Sequence, residues 1–154
     1  MTMPIDRWRA PPPRLPLRGL LLGCLLAAGA ARADESRLQV TLQGVRDGQG
    51  QLRVSLYRDA DSFRKEDRAF RVLSVPAAPG DARLAFDALP PGRYALMAYH
   101  DANGDAKLNL RLGMFPTEGY GLSNNPQVVG PPRFADSAFD VSGPETSVNI
   151  SVSY

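Results

Sequence analysis

Oxygen-bearing side chains recur at alternate positions in one short stretch, His100-Asp101-Ala102-Asn103-Gly104-Asp105-Ala106-Lys107-Leu108-Asn109. Asp101, Asn103, Asp105 and Asn109, together with the main-chain carbonyl of Lys107, supply oxygen ligands in the order a hard cation such as Ca²⁺ requires of a tight loop. Two positions depart from a full EF-hand loop. Ala106 stands sixth, where glycine tolerates positive φ, and Leu112 stands twelfth in place of a bidentate glutamate. Glu118 is a downstream carboxylate able to reach back, although spacing does not place it there. The competing reading is an ordinary β-turn in which Asp101 and Asn103 accept hydrogen bonds from backbone N–H groups.

His100 is the sole histidine. Beside Asp101 it reads as a general base or metal ligand; its plainer reading is a strand-end residue hydrogen-bonded to the acidic turn. Further along, Gly119-Tyr120-Gly121-Leu122-Ser123-Asn124-Asn125 contains Gly-x-Ser but lacks the second glycine of a nucleophile elbow. Ser123 therefore lacks the context of an activated hydroxyl. If this segment lies beside the acidic turn, His100, Glu118, Tyr120, Ser123 and Asn124 would line a shallow polar ligand site. Glu118 with Asp101 or Asp105 would serve glycoside hydrolysis only at a separation of roughly 5–10 Å.

Such residues need elements to hold them, and the dominant hydrophobic period is two. Leu38, Val40 and Leu42 alternate with polar residues, as do Leu52, Val54 and Leu56. Leu84 with Phe86, then Tyr94, Leu96 and Ala98, and finally Val148, Ile150 and Val152 continue the pattern. Each set reads as a strand with one buried face. The expected core is Leu38, Val40, Leu42, Leu52, Val54, Leu56, Leu84, Phe86, Leu96, Val148, Ile150 and Val152. Asp47-Gly48-Gln49-Gly50 reads as a hairpin turn joining the first two strands. Pro79-Gly80-Asp81 precedes the Leu84 strand, and Leu89-Pro90-Pro91-Gly92 leads into the Tyr94 strand. Two segments fall outside this pattern. Residues 59–70 read as a loop with at most a turn or two of helix, capped by Asp61 or Ser62. Residues 112–135, dense in glycine and proline, read as one long loop that Phe115, Tyr120 and Phe134 could pin to the body.

The first 33 residues read as an export signal: arginines at 7, 9, 14 and 18, an apolar run from Gly19 to Ala30, and Ala31-Arg32-Ala33 placing a cut before Asp34. The run is shorter than the roughly 20 residues a spanning helix needs, and none like it follows. Leu21-Leu22-Gly23-Cys24 offers an alternative, a lipoprotein anchored through Cys24, although apolar residues continue past the cysteine. Five of the 18 basic residues and one of the 16 acidic ones lie in this segment, so residues 34–154 carry a net charge of −2 with His neutral. That balance, without interleaved aromatic and basic residues, argues against nucleic acid as a partner. Without Cys24 there is no cysteine, which excludes disulfides and thiolate metal sites; one histidine then cannot build a typical zinc site. Residues 34–154 suffice for one domain.

Several motifs occur in a distinctive order: Leu89-Pro90-Pro91-Gly92-Arg93-Tyr94, His100-Asp101-x-Asn103-Gly104-Asp105, Pro116-x-Glu118-Gly119-Tyr120-Gly121-x-Ser123-Asn124-Asn125, and Gly130-Pro131-Pro132-x-Phe134-x-x-x-Ala138-Phe139. Over nearly all of residues 37–154 the chain resembles the DUF2141 family, exported bacterial proteins of unassigned function. The resemblance implies a small β-sandwich in the style of transthyretin-like and carboxypeptidase-regulatory-like domains, and no known activity. The family's acidic turn usually reads Asp-x-Asn-x-Asn/Asp-Gly-Lys-Leu-Asp, whereas Ala106 and Asn109 replace its glycine and last aspartate here.

Together these readings predict an all-β chain: one Ig-like or transthyretin-like antiparallel β-sandwich with one long Gly/Pro-rich loop. Its expected place is the periplasm or the exterior, after cleavage near Ala33, with no transmembrane segment left. Its expected role is a non-catalytic binding or interaction module of the cell envelope. Calcium is the one candidate cofactor, and an envelope protein, glycan or small molecule the partner. The alternative is an envelope hydrolase or ion-dependent enzyme using His100, Asp101 and the 116–125 loop. A third class, a structural envelope protein, would present an exposed apolar patch or sheet edge.

Overall fold

The structure, a computed structural model, describes residues 35–127 and 129–154. The export signal, its cut before Asp34 and Cys24 lie outside the described residues. The described residues form ten strands: β1 (Ser36–Val45), β2 (Gln51–Tyr57), β3 (Arg71–Pro76), β4 (Gly80–Leu89), β5 (Gly92–Asp101), β6 (Leu110–Arg111), β7 (Phe115–Pro116), β8 (Tyr120–Leu122), β9 (Ala138–Val141) and β10 (Glu145–Ser151). A four-residue helix, α1 (Phe134–Ser137), precedes β9.

Two sheets stack into the sandwich. One has the order β10-β1-β4; the other has β3-β2-β5, with β8 and β9 sharing the far edge of β5. Pairing is antiparallel except between β1 and β10, which run parallel. The alternation that defines the strands also fills the core: Leu38, Val40 and Leu42 of β1 meet Leu52, Val54 and Leu56 of β2, with Leu84, Phe86, Tyr94, Leu96 and Ile150 between the layers. Val148 and Val152 are only half-buried, because β10 lies on the rim of its sheet. Burial of each large apolar side chain contributes roughly 1.5–3 kcal/mol. Every described core residue lies between Leu38 and Val152, so the sandwich closes its own core and is a folding unit.

The Asp47–Gly50 turn does not form a hairpin. β1 already pairs on both edges with β4 and β10, and β2 with β3 and β5, so the turn carries the chain across from one sheet to the other. Asp47 shapes it by accepting a hydrogen bond from the Gln49 N–H at 2.9 Å. Gly50, at φ +65°, lies so close to the Asp101 carbonyl that any Cβ there would overlap it. A second crossover joins β4 to β5. There the buried Tyr94 donates its O–H to the Pro90 carbonyl at 2.7 Å, the device of a tyrosine corner.

Sequence alternation did not mark β3 or β9. In β3, Leu73 and Val75 point inward between Arg71, Ser74 and Pro76, and pairing with β2 stabilises a strand that its composition leaves ambiguous. The 112–135 segment is likewise interrupted by β7, β8 and α1. Of its aromatic residues, Phe134 packs inward and Phe115 does not.

The outer face of the larger sheet is covered as well. Tyr57, Ala95 and Leu122 form a second apolar cluster with Phe63 from the 58–70 connection and with Phe134. Tyr57–Phe63 and Phe63–Phe134 meet edge-to-face, with ring centroids 5.4 and 5.9 Å apart. That connection is turns and a single 3-10 turn at Glu66–Arg68. Asp59, rather than Asp61 or Ser62, caps its start, accepting the Ser62 N–H at 2.8 Å. This bond holds the Asp59 carboxyl below the ordinary carboxylate range. Glu66 then clamps the connection to β2, accepting from Arg53 at 2.5 and 3.1 Å and from the Ser55 hydroxyl at 3.0 Å. Among the described residues, no helix is long and apolar enough to cross a membrane.

Candidate functional site: an acidic turn at one pole of the sandwich

β5 delivers Asp101 to the pole of the sandwich, where its carboxylate is buried. Oδ1 accepts the Asp105 N–H at 3.1 Å and Oδ2 the Ala106 N–H at 2.9 Å. Asn103 Oδ1 also accepts from the Asp105 N–H, at 3.0 Å, and Asp105 Oδ1 accepts the Lys107 N–H at 2.9 Å. The side chains therefore organise the backbone, as Asx turns do. They also converge on one another. Asp105 Oδ2 accepts from the Asn109 and Asn103 amides at 2.9 and 3.3 Å. Gly104 and Ala106 both take positive φ, +73° and +59°. The left-handed step that position six requires is thus present although alanine occupies it.

Glu118 closes the turn. Its Oε1 accepts the Ala102 N–H at 3.2 Å and its Oε2 the Asn109 N–H at 3.0 Å. The structure brings Asp101, Asn103, Asp105, Lys107, Asn109 and Glu118 into one loop. Among the described residues, no three His, Cys, Asp or Glu side chains gather closely enough to hold a metal by themselves. A cation here would rely on the amide oxygens of Asn103 and Asn109 and on main-chain carbonyls. Rotating those amides by half a turn exchanges NH₂ for oxygen with little change of shape.

His100 sits one residue earlier, fully buried, and ties the pole together. Nε2 lies 2.6 Å from the Gln49 carbonyl oxygen, which can only accept, so Nε2 carries the proton. Nδ1 shares a hydrogen bond with the Tyr154 hydroxyl at 2.7 Å, and that hydroxyl accepts the Arg46 N–H at 3.0 Å. The Arg46 guanidinium lies 3.9 Å over the Tyr154 ring. Both ring nitrogens are engaged, Nε2 with the first crossover and Nδ1 with Tyr154.

Ser123 and Asn124 fall elsewhere. Ser123 is buried beside Leu96, about four residues or ~13 Å along β5 from His100. Its Oγ accepts the Leu96 N–H at 2.9 Å and donates to the Ser137 carbonyl at 2.5 Å. Asn124, at φ +64°, donates to the Ala138 carbonyl at 2.9 Å. Tyr120 is half-buried in β8, with its backbone paired to Ser153. The five residues expected to line one polar site are therefore split, with His100 and Glu118 at the pole, Tyr120 on β8 opposite Tyr99 of β5, and Ser123 and Asn124 at the waist.

The pole carries one further element that hydrophobic periodicity does not mark. Leu110–Pro116 folds back as a short hairpin of β6 and β7, its turn closed by the Met114 N–H on the Arg111 carbonyl at 3.2 Å. Leu112 and Gly113 occupy the centre at φ +55° and +69°, the positive φ at both central positions that a type I′ turn also needs. The usual Asn-Gly signal is replaced by Leu-Gly, and for that reason composition did not reveal it. Leu112 is 80 % exposed and Met114 69 %.

Fold and turn together define the class: a small two-layer β-sandwich with one ordered acidic turn and an adjoining apolar hairpin at the same pole. The chain belongs to the family described as "Uncharacterized protein conserved in bacteria (DUF2141)", whose model matches residues 40–149, from within β1 to within β10. No curated protein and no solved structure matches it.

Proposed function

We propose that this chain is a non-catalytic binding module of the bacterial cell envelope, exported by its N-terminal segment, and that the acidic-turn pole is its recognition end. The observation that carries this reading is where the reactive side chains are used. His100 joins β5 to the first crossover through Nε2 and to Tyr154 through Nδ1, and Ser123 bridges Leu96 and Ser137 from a buried position. A general base or nucleophile must reach a substrate atom, whereas these groups are occupied by the fold. The acidic turn, by contrast, is ordered by its own hydrogen bonds and leaves Asn103 and Asp105 exposed. Binding there requires little further ordering, which favours recognition.

Calcium is the ligand this turn fits best, held by Asp101, Asn103, Asp105, the Lys107 carbonyl and Asn109. Alanine at position six and the absence of a bidentate glutamate from position twelve assign it to the weak class, with a dissociation constant of about 10⁻⁴–10⁻³ M. Calcium added at tenfold excess over a 1 mM dissociation constant stabilises the folded state by about 1.4 kcal/mol. Thermal unfolding with calcium, against magnesium and against Asp105→Asn, tests this. The expected result is a calcium-specific rise in Tm that the variant loses. Equal curves at millimolar calcium and in chelator would remove the ion from the proposal.

A further inference from the structure

The apolar hairpin beside the acidic turn has no use within the fold. Leu110, Leu112, Met114 and Phe115 are 47 %, 80 %, 69 % and 55 % exposed, and none belongs to either hydrophobic cluster. Single exposed leucines are ordinary, but four apolar side chains on one short hairpin form a patch. Leu112 is the most telling. At φ +55° a leucine is strained where asparagine or glycine is not. Both its backbone conformation and its contact with water oppose leucine at this place.

Charge identifies what covers the tip. Between Ala106 and Thr117 the only charged residues are Lys107 and Arg111. Both are exposed, and neither forms an ion pair among the described residues. The bordering carboxylates, Asp105 and Glu118, accept hydrogen bonds within the acidic turn itself, so the charges on the hairpin side are the lysine and arginine. An apolar tip with these two cations matches the surface of an anionic bilayer: the acyl boundary receives the leucine, methionine and phenylalanine, and headgroup phosphates meet the lysine and arginine. Size points the same way. A tip of this kind offers a few hundred Å², well short of the roughly 800 Å² per partner that a stable protein interface buries. Shallow insertion needs only the tip. The turn carries one backbone hydrogen bond of its own, from the Met114 N–H to the Arg111 carbonyl, and a shallow interfacial position leaves its remaining N–H and C=O groups to water and headgroups.

We propose that the Leu110–Pro116 hairpin inserts its tip into the interface of a bilayer bearing anionic headgroups. This deepens the proposed role by naming a partner for the same pole, and it stands apart from the calcium site, which has its own test. The experiment uses residues 32–154, the self-contained sandwich, with vesicles of phosphatidylcholine mixed with phosphatidylglycerol or of phosphatidylcholine alone. Leu112→Asn combined with Met114→Gln removes the apolar tip, while asparagine suits the turn and leaves the fold intact. Wild-type protein is expected to sediment with the anionic vesicles, and the double variant to partition at least about tenfold more weakly. Lys107→Gln with Arg111→Gln should abolish the preference for anionic over neutral vesicles. Absence of binding to anionic vesicles, or equal binding by wild type and the tip variant, would overturn the proposal. So would a concentration-dependent dimer that the tip variant loses, since it would assign the patch to a second copy of the chain.

Discussion

At φ +59° the Cβ of Ala106 crowds its own carbonyl, a contact glycine avoids. The residue stays there because Asp101 Oδ2 accepts its N–H at 2.9 Å from a buried position. The carboxylate thus fixes a backbone that the side chain opposes. Replacing Ala106 by glycine relieves about 1–2 kcal/mol of strain, offset by about 0.4–1 kcal/mol of added freedom in the unfolded chain. Ala106→Gly should therefore stabilise the protein by roughly 0.5–1 kcal/mol. In urea titrations this appears as a higher midpoint at unchanged slope. A lower midpoint would mean that the turn relaxes without strain and that its geometry is not held from Asp101.

The 58–70 connection shows what an irregular element contributes when it covers a sheet. Phe63 and Glu66 seal the outer face of β2 and β5, and the tyrosines beneath lose their water. Desolvation pushes the Tyr57 hydroxyl up to about 12, and burial, with the Glu66 charge second, raises Tyr99 as well. Glu66 in turn strengthens the hold of Arg53 on its proton. The sign follows from proton uptake. Above the ordinary tyrosine value near 10 the unfolded chain releases these protons while the folded protein keeps them, so stability falls as pH rises. For Tyr57 the stabilisation is complete below about pH 10 and gone above about pH 12. The loss is at most about 1.4 kcal/mol per pH unit for each tyrosine. Denaturation midpoints measured between pH 9 and 11 should fall, and Tyr57→Phe should flatten that fall. An identical slope in the variant would show that Tyr57 ionises freely in the folded state.

Over the whole molecule, period-two hydrophobicity was enough to place β1, β2, β4, β5 and β10 and most of the core, because one face of each strand is buried between two layers. It could not say which strands pair. Asp47-Gly48-Gln49-Gly50 has the composition of a hairpin and acts as a crossover, since pairing depends on which edges other strands occupy. The acidic turn is legible because its ligand-type residues alternate within one short stretch, whereas the closure by Glu118 depends on a chain reversal that spacing does not encode. Gly119 and Gly121 lie at places of close approach whose partners only the three-dimensional fold supplies. β8, in the larger sheet, meets the tail of β10, in the smaller, through the Tyr120–Ser153 bridge, with both N–H···O distances at 2.9 Å. A Cβ on Gly121 would lie 2.5 Å from Ile150 Cγ2 and 2.5 Å from the Ser151 carbonyl oxygen. Ile150 is fully buried and the carbonyl is backbone, so neither yields without parting the sheets. Gly121→Ala should consequently cost about 2–3 kcal/mol, at the upper end of overpacking. The damage should be local in origin: hydrogen exchange at the Tyr120 and Ser153 amides should accelerate before that of β2 or β5. A variant with wild-type stability and both amides still protected would show that Ile150 and the Ser151 backbone accommodate a methyl group, and that the bridge does not depend on glycine at position 121.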